Sequence, residues 1–180
     1  MPTPAEIALL AKYNEWMNTR LYEAAATLPE EVLQADREAF FGSIIGTFNH
    51  LVVADTIWLK RFATHPLGFV ALAPVVDLPA PKTLDEIVSA AIATLTKRRR
   101  LLDRSIGDFA AEMTEAHLQT VFHYRNTKGI PAQKPFASVL THFFNHQTHH
   151  RGQLTTLLFQ AGVDPGLTDL LALIPDAVDV

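Results

Sequence analysis

The chain has 180 residues, a formal net charge of −4 and no cysteine, which excludes disulfides, cysteine metal ligands and a thiol nucleophile from the protein itself. The length predicts a single domain over residues 1–180, and the mild negative charge argues against nucleic-acid binding. No apolar run approaches the roughly 20 residues that span a bilayer, and the first residues lack the features of a signal peptide, so we expect a cytoplasmic protein without a membrane segment.

The first predicted helix covers residues 4–27. Thr3 and Glu6 have the spacing of a capping box, and Pro4 suits the first helical position. Apolar residues then recur with helical spacing until Pro29 ends the pattern.

The second predicted helix covers residues 43–64, and the pattern allows an earlier start near Arg37. Apolar residues occupy its main stripe and its other faces as well. A helix of this kind lies at the centre of a bundle or at a subunit interface. Its main stripe comprises Ile44, Phe48, Leu51, Trp58 and Phe62.

Residues 65–82 contain four prolines and one glycine, which predicts a long loop. Such a loop is either a mobile lid or an ordered connection across the end of a bundle, and the sequence leaves both open. Thr83 and Glu86 then form a second capping-box pattern, which predicts a third helix that continues to Ile106. Its three arginines at 98–100 point in different directions, so a solvated face or a salt-bridged helix end is favoured over a nucleic-acid patch.

Residues 117–134 combine β-branched and aromatic residues with a polar turn, which predicts a short hairpin or extended segment. The fourth long helix begins after Pro135 and ends at Gly162, which is a suitable C-cap. A short helix capped by Thr168 follows over residues 169–174. Four long helices predict an all-α fold, a four-helix bundle with a long proline-rich loop and a short hairpin before the last long helix.

The fourth helix carries the residues that suggest chemistry, because four of the eight histidines lie between positions 142 and 150. With about 100° per residue, His146 and His150 fall on or beside the apolar stripe, whereas His142 and His149 turn toward solvent. The inward pair can bind one metal ion. The other two histidines are either surface residues or groups that orient a ligand or a bound water.

A third metal ligand must come from another helix, since a catalytic zinc site commonly has three protein ligands and an open position. His50 is the best candidate, because a buried neutral imidazole in the most apolar helix needs a partner. Asp55 is either a fourth ligand, an orienting carboxylate or a buried structural residue that caps a loop or pairs with an arginine. Histidines with this spacing also serve as hydrogen-bonded core residues, so the pattern alone leaves that alternative open.

Separated segments of the chain resemble the DinB/YfiT family of metalloenzymes. The run NHQTHHRGQLTTLLFQAG at 145–162 is similar to the terminal helix of that family, and FNHLVVADTIWLKRF at 48–62 resembles its second-helix motif. The opening YNEWMNTRLYEAAATLPEE and the closing AGVDPGLTDLLALIP also match. The resemblance therefore covers nearly the whole chain, with its motifs in family order.

The resemblance implies a four-helix bundle, usually a homodimer, with a divalent metal that is often zinc or nickel. Carried over residue by residue, the three histidine ligands fall on His50, His146 and His150. Some relatives are transferases or isomerases that use a low-molecular-weight thiol cofactor, and others have no assigned activity.

From these observations we expect a metal-dependent enzyme that acts on a small molecule, either as a hydrolase or as a thiol-dependent transferase. Any thiol must come from a cofactor, because the chain has no cysteine. The candidates for a general base are His149, Asp55 and Tyr124. The alternative is a non-catalytic binding or stress-response module in which the metal staples the second helix to the fourth. A staple requires closed coordination and no adjoining pocket, whereas an enzyme requires an open site beside a cavity.

Overall fold

The computed structural model describes residues 1–176, which are mostly helical and include one small two-stranded sheet. The α-helices of these residues are α1 (Pro4–Ala25), α2 (Glu30–Gln34), α3 (Ile44–Phe62), α4 (Ala73–Val76), α5 (Ile92–Ala111), α6 (Glu115–Leu118) and α7 (Phe136–Gln160). Two 3₁₀ segments (Val70–Leu72 and Leu170–Leu173) and the strands β1 (Val121–Arg125) and β2 (Pro131–Pro135) complete them. None of the helices in this part of the chain has the length and apolar character needed to cross a membrane.

Helix α1 begins at the predicted capping box. The Thr3 hydroxyl accepts a hydrogen bond from the Glu6 backbone N–H at 3.2 Å, and the Glu6 carboxylate accepts one from the Thr3 N–H at 2.7 Å. These reciprocal bonds satisfy two backbone donors that the first turn of a helix leaves unpaired. The short α2, which follows Pro29, is not among the predicted elements.

Helix α3 is the central element of the core, in agreement with its apolar composition. Every residue from Ile44 to Thr56 is buried. Helices α5 and α7 pack against α3, and α1 packs against α5 and α7. Burial of each large apolar side chain in this shared core contributes roughly 1.5–3 kcal/mol to folding. The largest fully buried side chains include Phe48, Phe62, Phe109, Phe136 and Phe143.

The predicted loop at 65–82 contains two short helical segments, the 3₁₀ turn and α4, so the absence of helix predicted there is wrong. Pro74 lies in the first turn of α4, where its missing N–H leaves no helical hydrogen bond broken. Leu72 and Val75 are fully buried. The middle of this segment is therefore anchored on the core, which favours the ordered connection.

The third long helix starts later than predicted. Helix α5 begins at Ile92, and its N-cap residue Ala91 provides no side-chain hydrogen bond. In place of a capping box at Thr83, the Glu86 carboxylate accepts from the backbone N–H of Lys82 at 2.6 Å. The predicted helix start is therefore wrong.

Hydrogen bonds from α3 explain why residues 84–90 are not helical. The Asn49 side chain donates to the Ser89 carbonyl at 2.9 Å and accepts from the Ser89 N–H at 3.0 Å. These long-range bonds use backbone groups that a helix would pair locally. Tertiary contacts thus override the local capping pattern.

Arg99 is buried in the middle of α5, so the predicted solvated face is wrong for this residue; of the other predicted alternative, a salt-bridged helix end, the salt bridge is present but not the position at a helix end. The Nη1 of Arg99 lies 2.5 Å from Asp55 Oδ2, and its Nη2 lies 3.0 Å from Asp103 Oδ1. Asp55 also accepts a hydrogen bond from Gln147 Nε2 at 2.9 Å. Of the alternatives left open for Asp55, the structure supports pairing with an arginine.

The predicted hairpin is present, with β1 and β2 antiparallel. Gly129 in its turn adopts a φ of 75°, and the Asn126 side chain accepts from backbone N–H groups on the other side of the turn. Phe122 is fully buried, and Tyr124 lies half-buried two residues further along the strand. Because alternate residues of a strand share a face, the hairpin directs both rings toward the helices.

Helix α7 ends as predicted, with Gly162 at a φ of 86° just after the C-cap residue Ala161. The predicted short helix after it is a single 3₁₀ segment, Leu170–Leu173, whose cap residue is Asp169. Thr168 therefore does not cap it. Its carbonyl instead accepts a hydrogen bond from Tyr13 Oη at 2.6 Å, which ties the segment between α7 and the 3₁₀ turn to α1.

Candidate metal centre

Three imidazoles from two helices converge at one point. His50 comes from α3, and His146 and His150 come from α7; one ring nitrogen of each lies within 4.8 Å of those of the other two. The Nε2 atoms of His50 and His146 are 3.3 Å apart. Nitrogen ligands on a tetrahedral zinc ion, at bonds of about 2.0–2.1 Å, lie roughly 3.3–3.4 Å from each other. The cluster therefore has a spacing that suits one divalent ion.

The helical phase of α7 determines which of its histidines join the cluster. His150 is buried and His146 is half-buried, while His142 and His149 are exposed. This division is the predicted one. It follows from the four-residue spacing of His146 and His150, which places both side chains on one face of the helix.

A backbone carbonyl orients the ring of His50. Its Nδ1 lies 2.8 Å from the carbonyl oxygen of Leu84. Because a carbonyl oxygen can only accept a hydrogen bond, Nδ1 carries the proton and Nε2 presents its lone pair to the cluster. The irregular segment before α5 thus positions a site residue on α3.

The side chain of Gln153 orients His150 in the same manner. The Nδ1–H of His150 donates a hydrogen bond to Gln153 Oε1 at 2.7 Å, which leaves the Nε2 lone pair free. Partners of this kind fix the tautomer and the orientation of metal-binding histidines in proteins. Two of the three imidazoles are therefore held with a lone pair available.

Burial lowers the pKa of all three histidines. The pKa of His146 falls to about 3, first through loss of solvent and then through the neighbouring rings of His150 and His50. Burial is also the main cause of the lowered pKa of His50 and of His150. The rings are thus neutral at pH 7, which is the form that binds a metal. A set of three neutral nitrogen donors suits a divalent transition-metal ion.

Phe41 covers one side of the cluster. Its ring stacks on His50 with centroids 3.8 Å apart and an interplanar angle of 17°, and it meets His150 edge-on at 5.5 Å. Phe41 is held in place just before α3, where its carbonyl approaches Gly46 so closely that a Cβ there would lie 2.1 Å from the oxygen. An apolar wall therefore shields this side of the imidazoles from water.

A cavity of about 250 Å³ adjoins the cluster, and Phe41 is not among the residues that line it. His50 and His146 line it, and a larger groove of about 630 Å³ shares Arg61 and Tyr124 with it. The remaining lining residues come from α3, the segment before α5, the hairpin and α7. They are Ala54, Ile57, Trp58, Arg61, Leu84, Tyr124, Asn126, Thr127 and His142.

The other sequence candidates occupy different positions. Asp55 is fully buried and lies outside the histidine cluster, where it pairs with Arg99 and Gln147. His149 packs against His150 at 4.8 Å and does not line the cavity. Among the three candidates for a general base, Tyr124 is the one found at the cavity among residues 1–176.

Four residues at the site were not predicted, and two of them had a signal in the sequence. Gln153 is three residues after His150, the same helical spacing that selects the histidines, and Arg61 is eleven residues after His50 on the same face of α3. Phe41 and Leu84 lie in irregular segments. A helical pattern therefore carries no information about them.

Comparison with known proteins places these residues in a wider context. The model of the DinB family matches residues 1–177, a span that includes all three clustered histidines. The chain is also similar to "Protein DinB" of Bacillus subtilis (strain 168), with 28% identity over 160 residues that cover 89% of this chain and 88% of that protein. No solved structure gives a significant match.

Proposed function

This chain belongs to the DinB family, and we propose that it is a metal-dependent enzyme in which His50, His146 and His150 hold one divalent ion, zinc or nickel. One observation favours catalysis over a purely structural metal. The cluster opens directly on a cavity that His50 and His146 line. A metal that only stapled α3 to α7 would need closed coordination and no adjoining cavity.

A divalent ion held by these three histidines would keep a position open for ligands, where it would lower the pKa of a bound water to about 7 or bind a thiolate. The residues of the chain prepare this position. The Leu84 carbonyl and the Gln153 amide hold His50 and His150 with their Nε2 lone pairs turned inward. Phe41 excludes water from the closed side, so substrate approaches from the cavity.

The reaction in this proposal is either hydrolysis of a small molecule or transfer of a low-molecular-weight thiol to an electrophile. The thiol arrives as a cofactor, because the chain has no cysteine. Tyr124 is positioned to hold or accept a proton, since its side chain lines the cavity.

The proposal also covers the helix arrangement and the oligomeric state. Helices α1, α3, α5 and α7 form a four-helix bundle, and the chain acts as a cytoplasmic homodimer. The packing of α3 and of α1 against both α5 and α7 supports the bundle. The exposed side chains of Phe40 and Phe159 offer apolar surface for a second copy.

Activity measurements on metal-loaded protein test the proposed function. Chelated protein is reloaded with zinc or nickel and assayed for hydrolysis of 4-nitrophenyl acetate and for transfer of glutathione or cysteine to 1-chloro-2,4-dinitrobenzene. We expect turnover that requires the metal, disappears in His146→Gln and survives in the matched variant His149→Gln. If metal-loaded wild type turns over none of these reagents, the result supports a structural metal that only links α3 to α7. If wild type binds no metal, the proposed function is wrong.

A further inference from the structure

Arg61 lines the same cavity as the histidine cluster. It lies eleven residues after His50, which on an α-helix is three turns and about 16 Å along the axis on nearly the same face. Side chains of a helix lean toward its N-terminus, so the guanidinium extends back toward His50. A ligand in this cavity can therefore contact the histidine cluster at one end and Arg61 at the other.

Two aromatic rings hold the guanidinium of Arg61 in place. Its Cζ lies 4.8 Å from the ring centroid of Trp58 and 5.4 Å from that of Tyr124. Contacts of this kind use the flat faces of the guanidinium and leave its N–H edge available for a ligand. Trp58 in turn contacts His142, which neighbours His146, so a line of rings connects Arg61 with the cluster.

The charge of Arg61 lacks a carboxylate partner within residues 1–176. The ion pairs found there join Arg99 to Asp55 and Asp103. Among the residues that the structure describes, neither Asp nor Glu lines the cavity or the adjoining groove. Burial lowers the pKa of Arg61, in keeping with a half-buried cation that no carboxylate of residues 1–176 compensates. The positive charge therefore faces space that a ligand can occupy.

We propose that Arg61 binds the carboxylate of a small molecule whose other end reaches the histidine cluster. This inference rests on the proposed function and names the substrate class of that site. The N–H edge of a guanidinium matches a carboxylate with two parallel hydrogen bonds. Ile57 and Trp58 provide apolar wall for a hydrocarbon body between the two ends. A single cation balances a single negative charge, which favours a monocarboxylate over a phosphate dianion.

The dimensions of the cavity limit the ligand. At about 250 Å³ it is smaller than the roughly 300–1,000 Å³ of sites that enclose drug-sized molecules. A longer ligand would extend past Arg61 and Tyr124 into the groove of about 630 Å³. The carboxylate can belong to the thiol cofactor or to its reaction partner, and equilibrium binding separates the two.

Binding of matched thiols tests the role of Arg61. Cobalt-loaded protein is titrated with ω-mercaptoalkanoates of two to ten methylenes and with their methyl esters, and the sulfur-to-cobalt absorption reports binding. We expect at least one chain length at which the acid binds roughly tenfold or more tightly than its ester, as hydrogen bonds to a charged group require. Arg61→Met should abolish this preference and leave the ester affinity within about twofold, whereas Arg61→Lys, which keeps the charge, should retain part of it.

Arg125→Met is the matched control, because Arg125 lines the outer groove but not the cavity beside the cluster. It should keep the preference for the acid. Equal binding of acid and ester at every length, or a preference that survives Arg61→Met, would overturn the inference. So would a preference that only Arg125→Met removes, since the carboxylate would then lie in the outer groove.

A metal-free titration keeps this inference separate from the proposed function. The fluorescence of Trp58, measured in a Trp16→Phe background, should respond to thiol-free alkanoates when Arg61 is intact and should not respond when Arg61→Met is added. This response does not require a metal, so a failure to bind cobalt would overturn the proposed function alone. An alkanoate that still binds beside saturating 2-mercaptoethanol on cobalt-loaded protein assigns the carboxylate to the second reactant. Mutually exclusive binding assigns it to the thiol. A missing fluorescence response with Arg61 intact would contradict carboxylate binding by Arg61, as would equal binding of acid and ester.

Discussion

The Nε2 atoms of His50 and His146 lie 3.3 Å apart, although 96 positions separate the two residues in the chain. The hydrogen bond from His50 Nδ1 to the Leu84 carbonyl determines which of these two nitrogens donates and which accepts. Because His50 already carries its proton on Nδ1, its Nε2 can only accept. In the metal-free protein the proton between the two rings therefore belongs to Nε2 of His146.

This relationship predicts a change of tautomer on metal binding. His146 must release the Nε2 proton to present a lone pair, so its neutral ring should change from the Nε2–H form to the Nδ1–H form. His50 and His150 should remain Nδ1–H throughout, since the Leu84 carbonyl and the Gln153 side-chain oxygen accept hydrogen bonds from those N–H groups. Long-range ¹H–¹⁵N spectra of the histidine rings, with and without zinc, measure this directly. A metal-free His146 already in the Nδ1–H form would contradict the prediction.

Gln153→Leu should weaken metal binding by about 10–100-fold, which is the usual effect of removing the partner that orients a histidine ligand. The variant keeps all three histidines but leaves His150 Nδ1 without its acceptor. Competition with a chelating dye gives the dissociation constants. Gln160→Leu is the matched control, because it removes the same amide from the exposed end of α7. Equal affinities for wild type and Gln153→Leu would show that the hydrogen bond does not prepare the site.

The cluster itself could be predicted from the sequence for a physical reason. Helical periodicity assigns the faces of α7, and the apolar composition of α3 shows that His50 is buried. Both signals come from the sequence of a single helix. The cluster then requires only that α3 and α7 pack against each other. The family resemblance led to the same three residues.

The surroundings of the cluster depend on tertiary structure and could not be predicted in the same way. Any residue at position 84 offers a backbone carbonyl, so the identity of Leu84 says nothing of its contact with His50. The capping pattern at Thr83 and Glu86 predicted a helix that Asn49 prevents through its bonds to Ser89. Likewise, the burial of Arg99 follows from the register between α5 and α3, which no local pattern encodes.

Gly46→Ala should destabilise the protein and disturb the site. A Cβ at this position would lie 2.1 Å from the Phe41 carbonyl oxygen, which is a backbone atom that cannot turn aside. We expect a loss of roughly 1–3 kcal/mol in the free energy of unfolding, as for other overpacked positions. Displacement of Phe41 from His50 should also speed the loss of bound zinc to a chelator.

Gly107→Ala is the matched control for this change. Gly107 lies inside α5, and a Cβ there would meet no atom of residues 1–176 within 4 Å beyond its own helix backbone. Alanine should therefore raise the free energy of unfolding by up to about 1 kcal/mol through its better helix propensity. Urea denaturation of both variants, combined with the zinc release rate, measures the two effects. Equal stability of the two variants would contradict the close approach at Gly46.

Arg99→Met should lower the free energy of unfolding by about 3–5 kcal/mol, because it leaves the buried carboxylates of Asp55 and Asp103 without their cation. Chemical denaturation measures the loss. The exposed neighbour Arg100 provides the control, and Arg100→Met should change stability by no more than about 0.5 kcal/mol. Similar losses in both variants would show that the buried pairing contributes little.

Acid should destabilise the metal-free protein through His146. Its pKa is about 3 in the folded protein and near its ordinary value of 6.5 in the unfolded chain. Between these two pH values the unfolded chain binds a proton that the folded protein does not. The free energy of unfolding should therefore fall as the pH drops below 6.5, with a slope of up to about 1.4 kcal/mol per pH unit for each histidine held neutral.

Replacing the histidine separates this effect from the titration of carboxylates. His146→Gln removes the group, so its stability between pH 6.5 and about 4 should depend less steeply on pH than that of wild type. His149→Gln removes an exposed histidine from the same helix and should keep the wild-type slope. Urea denaturation at half-unit steps of pH, in the presence of chelator, gives the three curves. Parallel curves for wild type and His146→Gln would mean that His146 takes up its proton at the same pH in the folded protein and in the unfolded chain. The prediction that folding keeps His146 neutral would then be wrong.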